Sequence, residues 1–294
     1  MSKPTVTVVG AGKVGSAMAV ALQRSGYPIV GVVSGSVSSA QALGLRLGVN
    51  YSTQLTAFTN GAQIVFITTP DREVVNVVTT IANNGGFKAG QIIVHTSGSI
   101  PSTAINIARQ HGALVAAFHP LQSFADVETA ILNLPGSYFA IEGDADALPV
   151  LNQLLNDLHG HGITINPEDK PLYHAAAVVA SNYLVAIIHL ATEMLAKLGL
   201  ERQQSVPALW PLIMGTLNNI EKDGTIKALT GPVERGDSIT LDKHIKAINE
   251  LGAVEQQVYQ SLGKLTVALA LQKESINQAT ATELINILEG NKNE

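Results

Sequence analysis

The chain has 294 residues, of which 46 % are hydrophobic and 14 % charged, with a net charge of −5 and no cysteine. That length suits two domains with sizeable cores, and the composition excludes a disordered chain. The missing cysteines exclude disulfides, thiolate metal sites and cysteine nucleophiles, and the lack of a basic cluster argues against nucleic acid or an anionic membrane as partner.

Met1 to Thr5 leads straight into a strand pattern, with no basic segment followed by an apolar one, so the expectation is a cytoplasmic protein without a secretory signal. Short β-branched runs then alternate with helical stretches. The runs are residues 5–9, 29–33, 64–68, 92–95, 114–118, 138–142 and 162–165. They are continuously apolar, as strands buried on both faces of a parallel sheet are. The fold expected is α/β, a doubly wound and mostly parallel Rossmann sheet with right-handed crossovers.

Between the first run and its helix stands Gly10-Ala11-Gly12-Lys13-Val14-Gly15. A GxGxxG in that place is a dinucleotide-binding fingerprint. Gly10 allows the tight turn, Gly12 lets the backbone approach a pyrophosphate, and Gly15 lets helix and strand pack closely. Lys13 and Val14 complete the loop at a helix N-terminus, which attracts phosphate. After the second run, NAD-binding chains usually carry an acid for the ribose 2′-hydroxyl. Here the segment reads Val33-Ser34-Gly35-Ser36-Val37-Ser38-Ser39, with hydroxyls and no acid. The cofactor expected is NADP rather than NAD, held at Ser34 and Ser36, with Arg46 the nearest arginine.

Ligands of open α/β sheets sit beyond the carboxyl ends of the strands. Those ends read Thr68-Thr69-Pro70-Asp71, His95-Thr96-Ser97-Gly98 and His119-Pro120-Leu121-Gln122. Thr69 and Pro70 are assigned to the cofactor. Ser97, His119 and Gln122 are candidates for substrate contact, with turn capping as the other reading. Asp71 is expected to cap a helix starting at Arg72.

After residue 165 the pattern turns helical, opening on Asn166-Pro167-Glu168-Asp169. Helices are expected at 171–199, 203–221, 240–263 and 274–289. This divides the chain into a dinucleotide-binding domain, 1–165, and an all-α domain for substrate and dimerisation, 166–294. Residues 171–192 carry no charge over a length that could span a bilayer. They include His174, Ser181, Asn182 and His189, so the expectation is a helix buried in a helical domain, away from any membrane. At ~100° per residue, Lys170, His174 and Ser181 fall within about 40° of one another and Asn182 about 80° from His174. Such a polar face needs partners, which a substrate or another helix supplies. His189 points elsewhere and reads as structural. Further on, Leu229-Thr230-Gly231-Pro232-Val233-Glu234-Arg235-Gly236-Asp237 is followed by Thr240 and His244. Either this is a connector that caps the next helix, or Arg235 and Asp237 border a substrate carboxylate.

The glycine loop, the segment 119–124, Lys170 with Tyr173-His174, Ser181-Asn182, and Thr230-Gly231-Pro232 with Arg235-Gly236-Asp237 together resemble a family of predicted oxidoreductases. Its members join a Rossmann-like domain to a helical C-terminal domain of unknown function. The layout is also similar to ketopantoate reductase, pyrroline-carboxylate reductase and the β-hydroxyacid dehydrogenases. The resemblance implies hydride transfer between a nicotinamide cofactor and a small keto or imino acid, with ketopantoate a first candidate. Several of those enzymes use a lysine and an asparagine four residues apart; Lys170 and Asn182 stand twelve apart. In the mechanism expected, Lys170 or His174 donates the proton, Asn182 and Ser181 hold the carbonyl oxygen, and Arg235 the carboxylate. No metal is expected, and the helical half is expected to form a homodimer. The alternative is a dinucleotide-binding regulatory or redox-sensing protein without turnover.

Overall fold

The computed structural model describes residues 2–290, which fall into two compact units, one up to Tyr183 and one from Leu184 onward. The first unit is built on an eight-stranded sheet. Its strands are β1 (Val6–Val9), β2 (Ile29–Val33), β3 (Asn50–Ser52), β4 (Ile64–Ile67), β5 (Ile92–His95), β6 (Leu114–Pro120), β7 (Tyr138–Gly143) and β8 (His161–Thr164), in the order β3-β2-β1-β4-β5-β6-β7-β8. Each run read from the sequence is a strand. The one not foreseen is β3, whose three residues, Asn-Tyr-Ser, are partly exposed at the sheet edge and carry no hydrophobic pattern.

The helices of this unit are α1 (Lys13–Arg24), α2 (Val37–Leu47), α3 (Asp71–Asn83), α4 (Val127–Asn133) and α5 (Leu148–Asp157), with a 3-10 segment at Ser102–His111. They cover both faces of the sheet. One core joins β1, β4 and β6 to α1, α2, α4 and α5 through Met18, Leu22, Phe66, Phe118 and Leu151. The other joins Val65, Ile67 and Ile93 to Val74, Val78 and Ile81 of α3 and Ile105 of the 3-10 segment. Covering on both faces is why these strands read as unbroken apolar runs.

All neighbouring strands are parallel except β6 and β7. The register runs one row of residues across the sheet: Val9, Ile67, His95, Ala117 and Glu142. That row closes the carboxyl ends of β1, β4 and β5. The reversed direction of β7 is what brings Glu142 to it.

The first unit continues past residue 166 through α6 (Lys170–Val178) and a π-helical turn at Val179–Tyr183. The second unit holds α7 (Leu184–Lys197), α8 (Arg202–Ala228), α9 (Ser238–Ile248), α10 (Ala253–Gln272) and α11 (Gln278–Leu288). No strand is found among its described residues. The helix expected at 240–263 is two, α9 and α10, because Gly252 takes an extended conformation and serves as the N-cap of α10. Leu241, Ile245, Val267, Leu284 and Leu288 form the core of α9, α10 and α11.

The expectation of a helix buried within the chain is corrected. The segment Pro167–Lys197 is long and apolar enough to cross a membrane by length and composition, yet only 6 % of its most apolar window is buried. Leu172, Val179 and Val185 are exposed on it, as are Trp210 and Leu212 on α8. His189, expected to be structural, is exposed as well.

Candidate active site

The glycine loop is held shut from behind and open in front. Gly10 has φ +118°, and a Cβ there would meet the Thr68 carbonyl carbon at 2.6 Å. The Thr68 hydroxyl donates to the Gly10 carbonyl at 2.6 Å. A Cβ at Gly15 would lie 1.9 Å from the same carbonyl oxygen. Gly12 differs: it is the N-cap of α1, and a Cβ there would meet nothing within 4 Å. It opens on a cleft of about 830 Å³, lined by residues 10–14, Ser34, Thr69, Pro70, Asp71 and Thr96, among others. Thr69 Oγ1 is buried without a hydrogen-bond partner.

Next in the chain after Ser34 and Gly35, which line the cleft, Ser36 is the N-cap of α2, and its side chain accepts from the Ser39 N–H. Its hydroxyl lies 2.8 Å from that of Ser38, and the first turn of α2 contains no acid. Arg46 is ten residues along the same helix, ~15 Å away by helical rise. Its guanidinium is engaged by both carboxylate oxygens of Glu128. An anion at this turn would therefore meet hydroxyls and a helix N-terminus rather than Arg46.

A cluster of proton-holding side chains stands at the ends of β5 and β6. Lys170 is wholly buried and its Nζ donates to the Ser97 carbonyl at 2.9 Å. Burial pulls its pKa down to about 8, although the Glu142 and Asp71 carboxylates pull it up. The Tyr173 hydroxyl and His119 Nδ1 are hydrogen-bonded at 2.8 Å. Burial, with the charges of Lys170 and His174, holds His119 down to about 4, and burial pushes Tyr173 up to about 12. His174 packs edge-on to His119 at 6.0 Å between centroids, and its Nδ1 is buried without a partner. This approach requires Gly98, where a Cβ would lie 2.6 Å from His174 Nδ1 and 2.9 Å from the His119 ring. His95, fully buried, accepts from the Ser97 N–H at 3.2 Å; burial and then Lys170 hold its pKa down to about 3.

The cluster and the cleft share a wall. Asp71 lines the cleft and its carboxylate accepts from the Ser99 hydroxyl at 2.9 Å. Asp71 is the first residue of α3 and Pro70 its N-cap, so the expected cap at Asp71 is corrected. Ser97 Oγ accepts from the N–H groups of Ser99 and Ile100 and so fixes the turn. The cluster can thus store, give and take protons beside the cleft.

The structure brings Lys170, His174, Ser97 and His119 together. It does not bring Ser181 and Asn182 to them: both lie in the π turn and are exposed. A π turn breaks the 100° count that placed these residues on one face. Gln122 braces its own loop, donating to Ser137 Oγ at 3.2 Å and accepting from the Ser123 N–H at 2.8 Å. In the second unit, Asp237 caps α9, accepting from Thr240 N–H at 2.9 Å and its hydroxyl at 2.7 Å, while Arg235 is exposed. That loop is tied down by Lys273, which donates to the Leu229 carbonyl at 2.7 Å and to Glu234 at 2.9 Å. Sequence reasoning did not select Thr68, His95, Glu142 or Tyr173. Tyr173 stands one turn from Lys170, and Glu142 is an acid closing an apolar run, which were the available signals.

Comparison with known proteins finds two family models, whose bounds differ from those of the two compact units. Residues 1–120 match the Rossmann-like domain and residues 137–266 the domain of unknown function DUF2520. No match is found among curated proteins. Among solved structures, the chain is similar to protein TM1727 from Thermotoga maritima at 27 % identity, with 92 % of this chain and 99 % of that one covered and a TM-score of 0.73. It is also similar to a Bacteroides fragilis protein, BF3122, provisionally assigned as an NADP oxidoreductase (24 % identity, 94 % and 99 % covered, TM-score 0.71). A 1-pyrroline-5-carboxylate reductase from Streptococcus pyogenes shares the fold at 13 % identity, with 97 % and 100 % covered and a TM-score of 0.62. The chain thus joins a segment that matches the Rossmann-like domain to one that matches DUF2520, the arrangement that its motifs resemble.

Proposed function

We propose that the chain is an NADPH-dependent oxidoreductase that reduces the carbonyl or imine carbon of a small carboxylic acid. One observation carries this reading: the wall of an open dinucleotide cleft, at Asp71 and Thr96, runs directly into the turn that holds Lys170, His119 and His174. The residues fit the cofactor. Gly12 faces open space at a helix N-terminus suited to pyrophosphate, and the unpaired Thr69 hydroxyl lines the cleft. The acid-free turn at Ser34 and Ser36 suits a 2′-phosphate. The names of the Bacteroides and Streptococcus neighbours point to the same class of cofactor and reaction.

NADPH supplies the hydride when bound. The chain has to deliver a proton to the oxygen or nitrogen that becomes negative. Lys170, poised near pH 8, stores that proton, and His174, whose Nδ1 is unpaired, is the second candidate for passing it on. Neutral His119 keeps the Tyr173 hydroxyl engaged and the site uncongested by a further cation.

The test is fluorescence titration with NADPH and NADH, followed by NADPH oxidation with keto and imino acids that include ketopantoate and 1-pyrroline-5-carboxylate. Lys170→Ala and His174→Ala should lower kcat by about 10²- to 10⁴-fold with NADPH affinity little changed. Failure to bind NADPH overturns the reading; binding without turnover across the panel favours the regulatory alternative.

We also propose that the exposed apolar surface of α7 and α8 is covered by a second copy of the chain. A lipid environment would leave His174, Ser181, Asn182 and His189 without partners. Large apolar side chains exposed together on two packed helices are the kind of surface that marks a protein interface.

A further inference from the structure

Glu142 is a carboxylate in a place where the sheet gives no reason for one. It is 3 % exposed, in register with Ala117 on β6 and through it with His95 on β5. Ser102, at the start of the 3-10 segment, grips both of its oxygens: the backbone N–H donates to Oε1 at 2.6 Å and the hydroxyl to Oε2 at 2.6 Å. Those two bonds fix the plane of the carboxylate. Oε1 then stands 3.9 Å from Nζ of the fully buried Lys170. Either charge alone would be strongly disfavoured there, and an apolar pair of similar volume would fill the space without desolvating any charge. A role beyond packing is therefore required of the pair.

We propose that Glu142 is a positioning residue for Lys170: anchored by Ser102, it keeps the lysine charged and its ammonium directed at the Ser97 carbonyl, on the cleft side of the sheet. The other titratable groups around Lys170 are His95 from β5, His119 from β6, Asp71 from α3, and Tyr173 and His174 from α6. His95 and His119 are held neutral by burial and do not compete for the role. Asp71 pulls in the same direction as Glu142 but less strongly, and burial opposes both. Without Glu142, only Asp71 opposes burial, and the lysine gives up its proton at a lower pH. After burial, its charge is the next influence that keeps His95 and His119 unprotonated. That Lys170 takes part in a reduction rests on the function proposed above; the pairing with Glu142 does not.

The test follows Lys170 directly. Protein labelled with 13C at lysine Cε is titrated by NMR, and the Lys170 signal is assigned by its loss in Lys170→Met. In the wild type its midpoint is expected near 8. Glu142→Gln, checked for folding by circular dichroism, should lower the midpoint by about one unit or more, a tenfold loss of proton affinity. Glu142→Asp, which keeps the charge but draws it back, should give an intermediate value. Ser102→Ala, which loosens the carboxylate without removing it, should shift the midpoint less than Glu142→Gln. An unchanged midpoint in Glu142→Gln overturns the proposal. If that variant does not fold, an unchanged midpoint in Glu142→Asp does so. With turnover in hand, the pH limb of kcat assigned to Lys170 should move with the NMR midpoint. Absence of turnover on every substrate would sink the proposed reaction and leave the NMR result to decide the pairing.

Discussion

The phosphate loop and the Lys170 cluster border the same end of one sheet, and they are built in opposite ways. The loop is backbone architecture: Gly10, Gly15 and Thr68 lock it from behind, and Gly12 leaves its front open. The cluster is side-chain electrostatics: a lysine, a glutamate, three histidines and a tyrosine, gathered from β5, β6, β7 and α6 and wholly or partly buried. The difference teaches where each half should fail. The loop should fail by geometry, all at once; the cluster should fail by protonation, gradually with pH.

The largest effect expected is at Gly15. A Cβ 1.9 Å from the Gly10 carbonyl cannot be accommodated without moving the loop. Gly15→Ala should lose about 3 kcal/mol or more, at the upper end for overpacking, and unfold well below the wild type in a thermal melt. Gly12→Ala is the contrast. With open space around it, its stability should fall by only about 1 kcal/mol, the cost of a poorer N-cap, while NADPH affinity falls tenfold or more. Equal destabilisation by both would show that the front of the loop is not a ligand face.

This contrast also marks what the sequence could show. The loop is legible because its residues are neighbours: six positions, a strand before them and a helix after. Only Thr68, which locks it, comes from elsewhere. The cluster is legible in pieces. Lys170 and His174 share a helical face by spacing, but nothing in their spacing brings in Glu142, since that depends on β7 running antiparallel to β6. Asn182 and Ser181 were placed beside Lys170 by assuming an unbroken α-helix, and the π turn at Val179–Tyr183 removes that assumption.

The exposed helices give the next effect. Val185 on α7 and Leu212 on α8 are both 68 % exposed in the single chain. If a second copy covers them, Val185→Asp or Leu212→Asp should turn a dimer into monomers at micromolar concentration by light scattering. A wild-type chain that is already monomeric in detergent-free buffer would refute the proposed assembly. Recovery only in detergent would instead favour a lipid surface.

The cluster should then reveal itself through pH. His95 and His119 have folded-state values of about 3 and about 4, below the ordinary 6.5. As pH falls through about 6.5, the unfolded chain takes protons that the folded chain refuses. The stability contributed by these neutral imidazoles is present above that pH and is lost as pH falls towards 4. Lys170 works in the same sense at the other end, since its lowered value makes its contribution rise with pH between about 8 and its ordinary 10.5. Melting temperature should fall steadily from pH 7 to pH 5, and His119→Gln should flatten the slope. A profile unaltered by that substitution would mean His119 is not held neutral by the fold.

The smallest effect tests the turn that follows the cleft-lining Ser34 and Gly35, where one atom's charge decides between two cofactors. Ser36 caps α2, accepting from the Ser39 N–H, and no acid stands in the helix's first turn. Asp is as good an N-cap as Ser, so Ser36→Asp should leave the melting temperature nearly unchanged. It places a carboxylate where the 2′-phosphate is proposed to lie, and Arg46, engaged by Glu128 ~15 Å away, cannot compensate. The expected result is about a tenfold loss of NADPH affinity, equivalent to ~1.4 kcal/mol. NADH affinity should hold or rise, since the new carboxylate can accept from the free ribose hydroxyl. Equal losses for both cofactors would show that the substitution damages the turn and that Ser36 does not face the 2′ position. No change for either would place the adenosine ribose away from α2 altogether.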